Sequence, residues 1–440
     1  MSSELLKISD FAEVKGGKRL PKGSNLVPIK TEHPYLRIVD YKDGTFDRTN
    51  LQYVPDDVFP KIQRYTITSN DVFISIVGTI GLIAVVPSDL SGASLTENAA
   101  KICNIDLTRV DRDYLKYYLS SEQGQRSIRE MAVGSTQPKL ALFRIEQIKV
   151  PCPTLVEQKE IAKILQSFDD RIALLRETNA TLEAIAQALF KSWFVDFDPV
   201  HANAGTQAPS LPAEIQALFP SRLVESPQGR IPEGWEVTTL DDVSEVGIGK
   251  TPPRKEQHWF SENSDDIRWV SIRDMGESGA YLSSTNEYLT KEAVTRFNVR
   301  VVPDNTVMLS FKMTIGRVAI SDGEMTTNEA IAHFKLTETS PLSSEFIYLH
   351  LKSFDYSTLS STSSIADAVN SKTVKNIPIA LPVKDVLREF QSIIHPVMQR
   401  IKLIEQQIKT VSNLRDTLLP RLISGQLRLP EAEAALAEVG

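Results

Sequence analysis

The chain contains 440 residues, a length that predicts two or three domains. Hydrophobic residues make up 41% and charged residues 24% of it, which excludes a chain that is disordered throughout. The formal net charge of −7 does not indicate a polyanion-binding protein, so such binding would need local clusters of Lys and Arg. The two cysteines indicate neither a disulfide framework nor a zinc site, and residues 1–7 lack the layout of a signal peptide. A cytoplasmic protein without a membrane partner is the simplest interpretation.

Residues 1–150 are β-rich and punctuated by Gly and Pro. Their most apolar stretch, 72–86, is interrupted by Ser75, Gly78 and Gly81. This stretch is too short and too broken to span a bilayer, so it predicts paired strands. The segment carries 20 Lys and Arg against 18 Asp and Glu, which leaves it slightly basic.

A long helix is predicted next, within residues 153–197. Thr154-Leu155-Val156-Glu157 fits a capping box, in which the Thr hydroxyl and the Glu carboxylate satisfy exposed backbone N–H groups. Seam residues then recur at alternating steps of three and four, the period with which a helix buries a stripe against another helix. The positions of this first heptad seam are Leu165, Phe168, Ile172, Leu175, Asn179, Leu182, Ala186 and Leu189. A core helix of its own domain is the alternative, and Asn179 either fixes the register or is a tolerated polar residue.

Residues 198–232 are rich in proline, with Pro199, Pro209, Pro212, Pro220, Pro227 and Pro232. This composition predicts a linker, with one short helical turn around 213–219.

The second half of the chain repeats the first, block by block, at a nearly constant offset. Ile8-x-Asp10-Phe11-x-Glu13-Val14-x-x-Gly17-Lys18-x-x-Pro21 returns as Leu240-x-Asp242-Val243-x-Glu245-Val246-x-x-Gly249-Lys250-x-x-Pro253. Tyr35-Leu36-x-Ile38-x-Asp40 returns as Trp269-Val270-x-Ile272-x-Asp274, and Phe73-Ile74-Ser75-Ile76 returns as Met308-Leu309-Ser310-Phe311. Several blocks in the same order indicate two copies of one module and an internal pseudo-two-fold symmetry.

The helical tail is duplicated as well. A second heptad seam contains Ile394, Val397, Ile401, Ile404, Ile408, Val411, Arg415 and Leu418. Two matching seams in one chain favour packing of the two helices on each other.

Basic clusters recur at matching positions of the two copies. Lys18, Arg19 and Lys22, beside Lys15, occupy a Gly-rich loop of the first copy, and Lys250, Arg254 and Lys255 occupy its counterpart. Such loops can bring Lys and Arg to phosphates and Arg to guanine edges, so these residues are candidate DNA contacts. The weaker candidates are Arg37, Arg268, Lys312 and Arg317. An ordinary solvated loop is the alternative for either cluster alone, and Trp235 and Trp269 are expected in domain cores.

Several segments together resemble the specificity subunits of Type I restriction–modification systems. The most specific are Lys191-Ser192-Trp193-Phe194-Val195-Asp196-Phe197-Asp198-Pro199-Val200, Leu211-Pro212-Ala213-Glu214-Ile215 and Ile231-Pro232-Glu233-Gly234-Trp235-Glu236-Val237. Gly249-Lys250-Thr251-Pro252, Gly134-Ser135-Thr136-Gln137-Pro138, Pro151-Cys152-Pro153 and Glu157-Gln158 also look like the family. The chain departs from the family pattern at Gly17-Lys18-Arg19-Leu20 and at Ser363-Ser364-Ile365-Ala366.

The resemblance implies an α+β chain with two repeated α/β target recognition domains, separated by a pair of long antiparallel coiled-coil helices. Each domain would read one half of a split site on double-stranded DNA. The helices would dock two methyltransferase subunits and, through them, restriction/translocase subunits. We expect no cofactor on this chain, with S-adenosylmethionine and ATP/Mg on the partner subunits. The predicted domain ranges are 1–152 and 233–382 for recognition, 153–197 and 383–428 for the helices, 198–232 for the linker and 429–440 for a tail.

Motifs for chemistry are incomplete in this sequence. Gly249-Lys250-Thr251 resembles the end of a phosphate-binding loop, but position 244, where that motif requires Gly, is Ser244. The Pro252-Pro253 pair lacks the flanking residues of a methyltransferase catalytic turn, and no catalytic triad can be assembled. These observations favour a non-catalytic subunit. Two alternatives remain open, a coiled-coil scaffold that does not read DNA and a stand-alone DNA-modifying enzyme.

Overall fold

The computed structural model describes residues 4–42, 44–134, 138–359, 369–423, 425–427 and 431–432. The chain divides into two compact units, one formed by Met1–Ala173 with Lys409–Gly440 and the other by Leu174–Ile408. Each unit contains one copy of the repeat and a part of both long helices. Ser135, Thr136, Gln137 and the Ser363–Ala366 tract lie outside the described residues.

The first copy, residues 1–152, is built on two four-stranded sheets and a two-stranded ladder. One sheet has the order Glu13–Gly16, Ala99–Cys103, Val72–Ser75, Ile83–Val85, with every pair antiparallel. The other has the order Gln52–Tyr53, Pro34–Leu36, Ala93–Leu95, Thr66–Ile67, and the ladder pairs Glu4–Lys7 with Lys149–Cys152. A hairpin joins Tyr41–Lys42 to Thr45–Phe46, and the helices are Arg112–Ser120, Glu122–Met131 and Leu142–Ile145. Residues 72–86 therefore form paired strands, as predicted.

The second copy, residues 233–382, has the same plan with extra edge strands. Its first sheet has the order Glu245–Ile248, Ile331–Lys335, Val307–Ser310, Val318–Ser321, Tyr281–Leu282. Its second has the order Phe260–Ser261, Glu287–Leu289, Ile267–Val270, Met325–Thr327, Val301–Val302, and its ladder pairs Glu236–Thr239 with Pro378–Leu381. The helices are Leu240–Val243, Ile272–Glu277, Lys291–Arg296, Ser344–Ser353 and Ser371–Lys375.

Strand register repeats between the copies as closely as the sequence does. Ala100 pairs with Gly16 in the first copy, and Ala332 pairs with Ile248 in the second. A one-residue slip would turn each strand's apolar face toward solvent, so the shared register reflects the shared hydrophobic pattern. The mixed helix-and-sheet fold with two repeated modules is thus confirmed.

The two predicted long helices are present. The central helix is Leu155–Phe194 and the C-terminal helix is Lys384–Ile423. The capping box begins the central helix, because the Thr154 backbone N–H donates to Glu157 Oε2 at 2.9 Å and the Glu157 N–H donates to Thr154 Oγ1 at 3.3 Å. Most positions of the two heptad seams are buried: Leu165, Phe168, Ile172, Leu175, Ile394, Ile401, Ile404, Val411 and Leu418. Leu182, Leu189, Val397 and Ile408 are partly buried.

The helices run antiparallel where they meet in the second unit. Phe190 lies against Phe390, with ring centroids 5.9 Å apart. Burial raises the pKa of Glu405, and the Glu183 carboxylate is close enough to add to this rise. Moving back along one helix therefore means moving forward along the other.

The stretch predicted as a linker is more structured than its composition suggests. It contains the helices Asp198–Asn203 and Ala213–Gln216 and a hairpin that pairs Leu223–Ser226 with Gly229–Pro232. Val200, Phe219 and Ile231 from this stretch are buried with Trp193 and Trp235 in the core of the second unit. Apolar residues spaced between prolines thus pack on a neighbouring core, a long-range interaction that local composition does not report. Among the described residues, no helix combines the length and apolar character that crossing a membrane requires.

Candidate nucleic-acid interface

Each copy holds its Gly-Lys pair against the end of a β-strand through the same backbone hydrogen bonds. In the first copy the N–H of Gly17 donates to Ala99 O at 3.0 Å and that of Lys18 donates to Leu95 O at 2.8 Å. In the second copy the N–H of Gly249 donates to Ile331 O at 3.1 Å and that of Lys250 donates to Thr327 O at 2.8 Å. We call these two loops, residues 16–22 and 248–255, the strand-end loops.

The glycine is required at this position because the strand end leaves no room for a side chain. A Cβ on Gly17 would overlap the carbonyl oxygens of Leu95 and Thr96. A Cβ on Gly249 would overlap the backbone of Thr327 and Asn328 in the same way. The next residue is therefore fixed in position by backbone contacts, and both lysines at that place are exposed.

A buried aromatic residue fixes the lysine backbone from the other side. The Tyr35 hydroxyl donates to the carbonyl of Lys18 at 3.0 Å, and Trp269 Nε1 donates to the carbonyl of Lys250 at 3.4 Å. Burial raises the pKa of Tyr35 to about 12, so this phenol keeps its proton and stays a donor. The sequence placed Trp269 in a core, where it is only 2% exposed, but did not reveal its bond to the loop.

The residue after the lysine pairs with a glutamate in both copies. Arg19 Nε donates to Glu97 Oε1 at 2.6 Å, and the Thr251 hydroxyl donates to Glu329 Oε2. Neither glutamate was predicted, because the repeat blocks that define the two copies do not include the strand end. The signal was present, since Glu97 and Glu329 are related by the same offset as Lys18 and Lys250.

A second turn, anchored by a serine, lies beside each strand-end loop. The Ser75 hydroxyl donates to Thr79 O at 2.6 Å and accepts the N–H of Leu82, and Ser310 makes the same bonds to Thr314 and Arg317. We call residues 75–82 and 310–317 the serine turns.

The serine turns and the strand-end loops use the same strand ends. Ile76 N–H donates to Asn98 O at 2.8 Å, one residue from the carbonyl that holds Gly17. Phe311 N–H donates to Ala330 O at 2.9 Å, one residue from the carbonyl that holds Gly249. The two loops therefore meet at one edge of each copy.

The predicted DNA contacts fall into two groups. Lys18, Lys22, Lys250, Lys255 and Lys312 are exposed, and for these five ammonium groups we find no ion pair within the described ranges. Each predicted arginine has a partner in its own copy, including the exposed Arg19, which pairs with Glu97. Arg37 bonds to Asp40 and to Asn50 O, Arg254 pairs with Glu287 and lies over Trp269, Arg268 donates to Ser283 O and Asp322 O, and Arg317 donates to Ile272 O. These contacts give the arginines a structural role. Contact between the arginines and DNA stays a prediction.

Two histidines and both cysteines lie in the interior of the fold. Burial lowers the pKa of His333 and of His350 to about 4, so both imidazoles are neutral near pH 7. Within the part of the chain that the structure describes, no group of three or more His, Cys, Asp or Glu residues could hold a metal ion. Cys103 and Cys152 are buried free thiols.

Comparison with known proteins places these features in a family. The chain is 28% identical over 337 residues to the Type I restriction enzyme HindI specificity subunit of Haemophilus influenzae, covering 67% of this chain and 72% of that protein. It is 24% identical to the MjaIX specificity subunit of Methanocaldococcus jannaschii, covering 97% and 94%. The crystal structure of a Type I restriction–modification S subunit from M. genitalium has a similar fold, with a TM-score of 0.51 over 95% of both chains at 15% identity. The model of the Type I restriction modification DNA specificity domain matches residues 2–184 and again 232–413. The chain therefore belongs to the Type I restriction modification DNA specificity domain family.

Proposed function

We propose that this chain is the non-catalytic subunit that reads a two-part site on double-stranded DNA. The observation that carries the proposal is the duplicated edge, at which a strand-end loop meets a serine turn and presents an exposed lysine, Lys18 in the first copy and Lys250 in the second. Two copies of one fold can read two unrelated half-sites on one duplex. The names of two relatives, both specificity subunits of Type I restriction enzymes, support the same function.

The lysines act on DNA through charge. Lys250, Lys255 and Lys312 have ammonium groups that can replace counterions on phosphates, whereas the net charge of the second copy is negative. Phosphate contacts set the position of a protein on the duplex and base contacts supply the specificity. We infer that the lysines position each copy and that neighbouring loop residues read the bases.

The partners follow from the same proposal. Two methyltransferase subunits dock on this chain, and restriction/translocase subunits join through them in the cytoplasm. S-adenosylmethionine and ATP/Mg belong to those partners, and this chain carries no cofactor. The recognition domains extend over 1–152 and 233–382, and the long helices with their flanks over 153–197 and 383–428.

A DNA-binding assay of the complex reconstituted with methyltransferase subunits tests the proposal. We expect one duplex from the host genome to bind more tightly than a scrambled duplex of equal length, and binding to weaken as salt rises. Equal affinity for all duplexes would favour the scaffold alternative. Binding of S-adenosylmethionine by the isolated chain, measured by calorimetry, would favour an enzyme instead.

A further inference from the structure

Met313 is an exposed apolar side chain at the tip of the second serine turn. It is 84% exposed, and its backbone has a φ of 61°, in the left-handed region. The N–H of Thr314 donates to Lys312 O at 2.7 Å, so the chain reverses tightly around this one residue. A left-handed conformation places Cβ close to the next carbonyl, and glycine alone avoids that cost.

The first copy has glycine at the equivalent place. Gly78 and Met313 are related by the same offset as the two serines of these turns, and Gly78 has a φ of 77°. Both tips have a left-handed φ, one with a side chain and one without. Methionine therefore adds nothing to the turn itself, and its exposure shows that it adds little to the core. Its side chain is suited to a contact outside this chain.

The surroundings of Met313 indicate what that contact is. Lys312 precedes it, and Phe311 of the same turn is bonded to Ala330 O, three residues after Thr327, whose carbonyl holds Lys250. An apolar tip that follows the exposed Lys312, on a turn bonded near the strand end where Lys250 lies, suits a ligand that has negative charge outside and an apolar group within reach. Duplex DNA has this character in the major groove, where the C5-methyl of thymine is the apolar group on the base edges.

We propose that Met313 is a specificity-determining residue of the second copy that contacts the methyl group of a thymine in its half-site. This proposal rests on the DNA-reading function proposed above. The unbranched thioether side chain can adjust to the groove and bury the methyl group. The first copy has no such contact at this tip, because Gly78 carries no side chain.

Binding of the reconstituted complex to duplexes with thymine replaced by deoxyuridine tests the proposal. The two half-sites are first identified by methylation mapping, and each thymine of the second half-site is replaced in turn. We expect one replacement to weaken wild-type binding about fourfold, the effect of removing one buried methyl group. Met313→Gly should bind the thymine and deoxyuridine duplexes equally, and Met313→Leu should keep part of the difference.

Two controls separate this proposal from its foundation. Met313→Gly should unfold at the same temperature as wild type or higher, because glycine accepts the left-handed turn, so weaker binding would not reflect impaired folding. Leu107→Ala removes an exposed apolar side chain of the first copy and should keep the thymine preference. A complex that binds the second half-site specifically, but without any thymine preference that depends on Met313, would overturn this inference alone. A complex without sequence-specific binding would overturn the proposed function.

Discussion

The two copies share a backbone frame and differ in the side chains that the frame presents. Both hold a Gly-Lys pair at a strand end and a serine turn beside it, with matching hydrogen bonds. At two equivalent loop positions the first copy has Arg19 and Gly78, and the second has the half-buried Thr251 and the exposed Met313. Backbone hydrogen bonds therefore fix where the loops lie, so the loop side chains can differ between the copies without a change of fold.

Each unit has a carboxylate on a long helix that accepts hydrogen bonds from the copy in the same unit, and the two carboxylates differ in their donors. Asp169 of the central helix accepts bonds from Lys116 at 3.1 Å, Tyr117 at 2.6 Å and Arg415 at 2.7 Å. Burial opposes its ionisation, but these three donors outweigh burial and lower its pKa. Within the described part of the chain, Glu405 of the C-terminal helix accepts bonds only from backbone N–H groups, from Ala280 at 2.8 Å and Tyr281 at 3.0 Å.

Glu405 consequently titrates in the opposite direction from Asp169. Burial raises the pKa of Glu405 to about 7, and the nearby carboxylates of Glu183 and Asp322 add to the shift. A charged partner thus distinguishes a carboxylate that stays ionised from one that binds a proton near neutral pH.

The largest effect is expected from alanine at the strand end. Gly17→Ala should lower the free energy of unfolding of the first unit by about 3 kcal/mol or more, because the new Cβ overlaps backbone oxygens that cannot move cheaply. The matched control is Gly16→Ala, whose Cβ would lie 3.5 Å from Leu142 Cδ1, an ordinary contact. Chemical denaturation followed by circular dichroism measures both. Equal stabilities for the two variants would show that position 17 does not require glycine.

The pH dependence of the free energy of unfolding tests the raised pKa of Glu405. A carboxyl whose pKa is raised in the folded state favours folding less as pH rises from its unfolded value, near 4.5, through the folded value of about 7. Glu405→Gln should remove this loss, so the variant should gain on the order of 3 kcal/mol relative to wild type between pH 4.5 and 8. Denaturant titrations at several pH values measure the difference. A difference that stays constant with pH would show that Glu405 does not titrate in this range.

Asp169 gives the complementary result in the first unit. Asp169→Asn removes the charge that pairs with Lys116 and Arg415, and we expect a loss of about 2 kcal/mol near pH 7, less than for a fully buried pair because the site is partly exposed. Asp170→Asn, one residue further on an exposed face, is the control and should change stability little. Comparable losses from both substitutions would contradict a specific role for Asp169.

The smallest effect concerns charge at the second strand-end loop. Replacing Lys250 and Lys255 with Ala should weaken DNA binding by the complex and reduce the slope of log affinity against log salt by about 0.9 for each phosphate that is no longer neutralised. Lys291→Ala, an exposed lysine at the start of a helix in the same copy, should leave the slope unchanged. The slope is measured by fluorescence anisotropy over a salt series. If the double variant keeps the wild-type slope, the loop is an ordinary solvated one.

Sequence periodicity predicted the elements that depend on local pattern. The capping box at Thr154, the two long helices and the repeat itself follow from spacing, and the structure contains all of them. Contacts between distant residues were not predictable in this way. One aromatic core joins positions that are far apart in the sequence, since the ring centroids of Trp193 and Phe390 lie 5.7 Å apart. Apolar residues of the proline-rich stretch pack in the same core.

The candidate site was predicted only in part, because some of its features follow from local pattern and others from contacts between distant residues. The lysines were proposed because repeat positions coincide. Glu97 and Glu329 coincide in the same way, but their bonds to the loops, like the exposed tip at Met313, depend on pairing and backbone conformation that spacing does not encode. The predicted arginines illustrate the converse. The sequence alone does not show whether an arginine has a partner in the fold. The structure shows that Arg268 and Arg317 donate to backbone carbonyls of their own domain.

Under the proposed function, each copy reads its own half of a split DNA site. Exchanging residues 1–150 for the same segment of a relative with a different target, followed by methylome sequencing of cells that carry the chimera and its methyltransferase, tests it most directly. We predict that one half-site changes to that of the relative while the other half-site keeps its bases. A chimera that is active but changes both half-sites, or neither, would contradict the account.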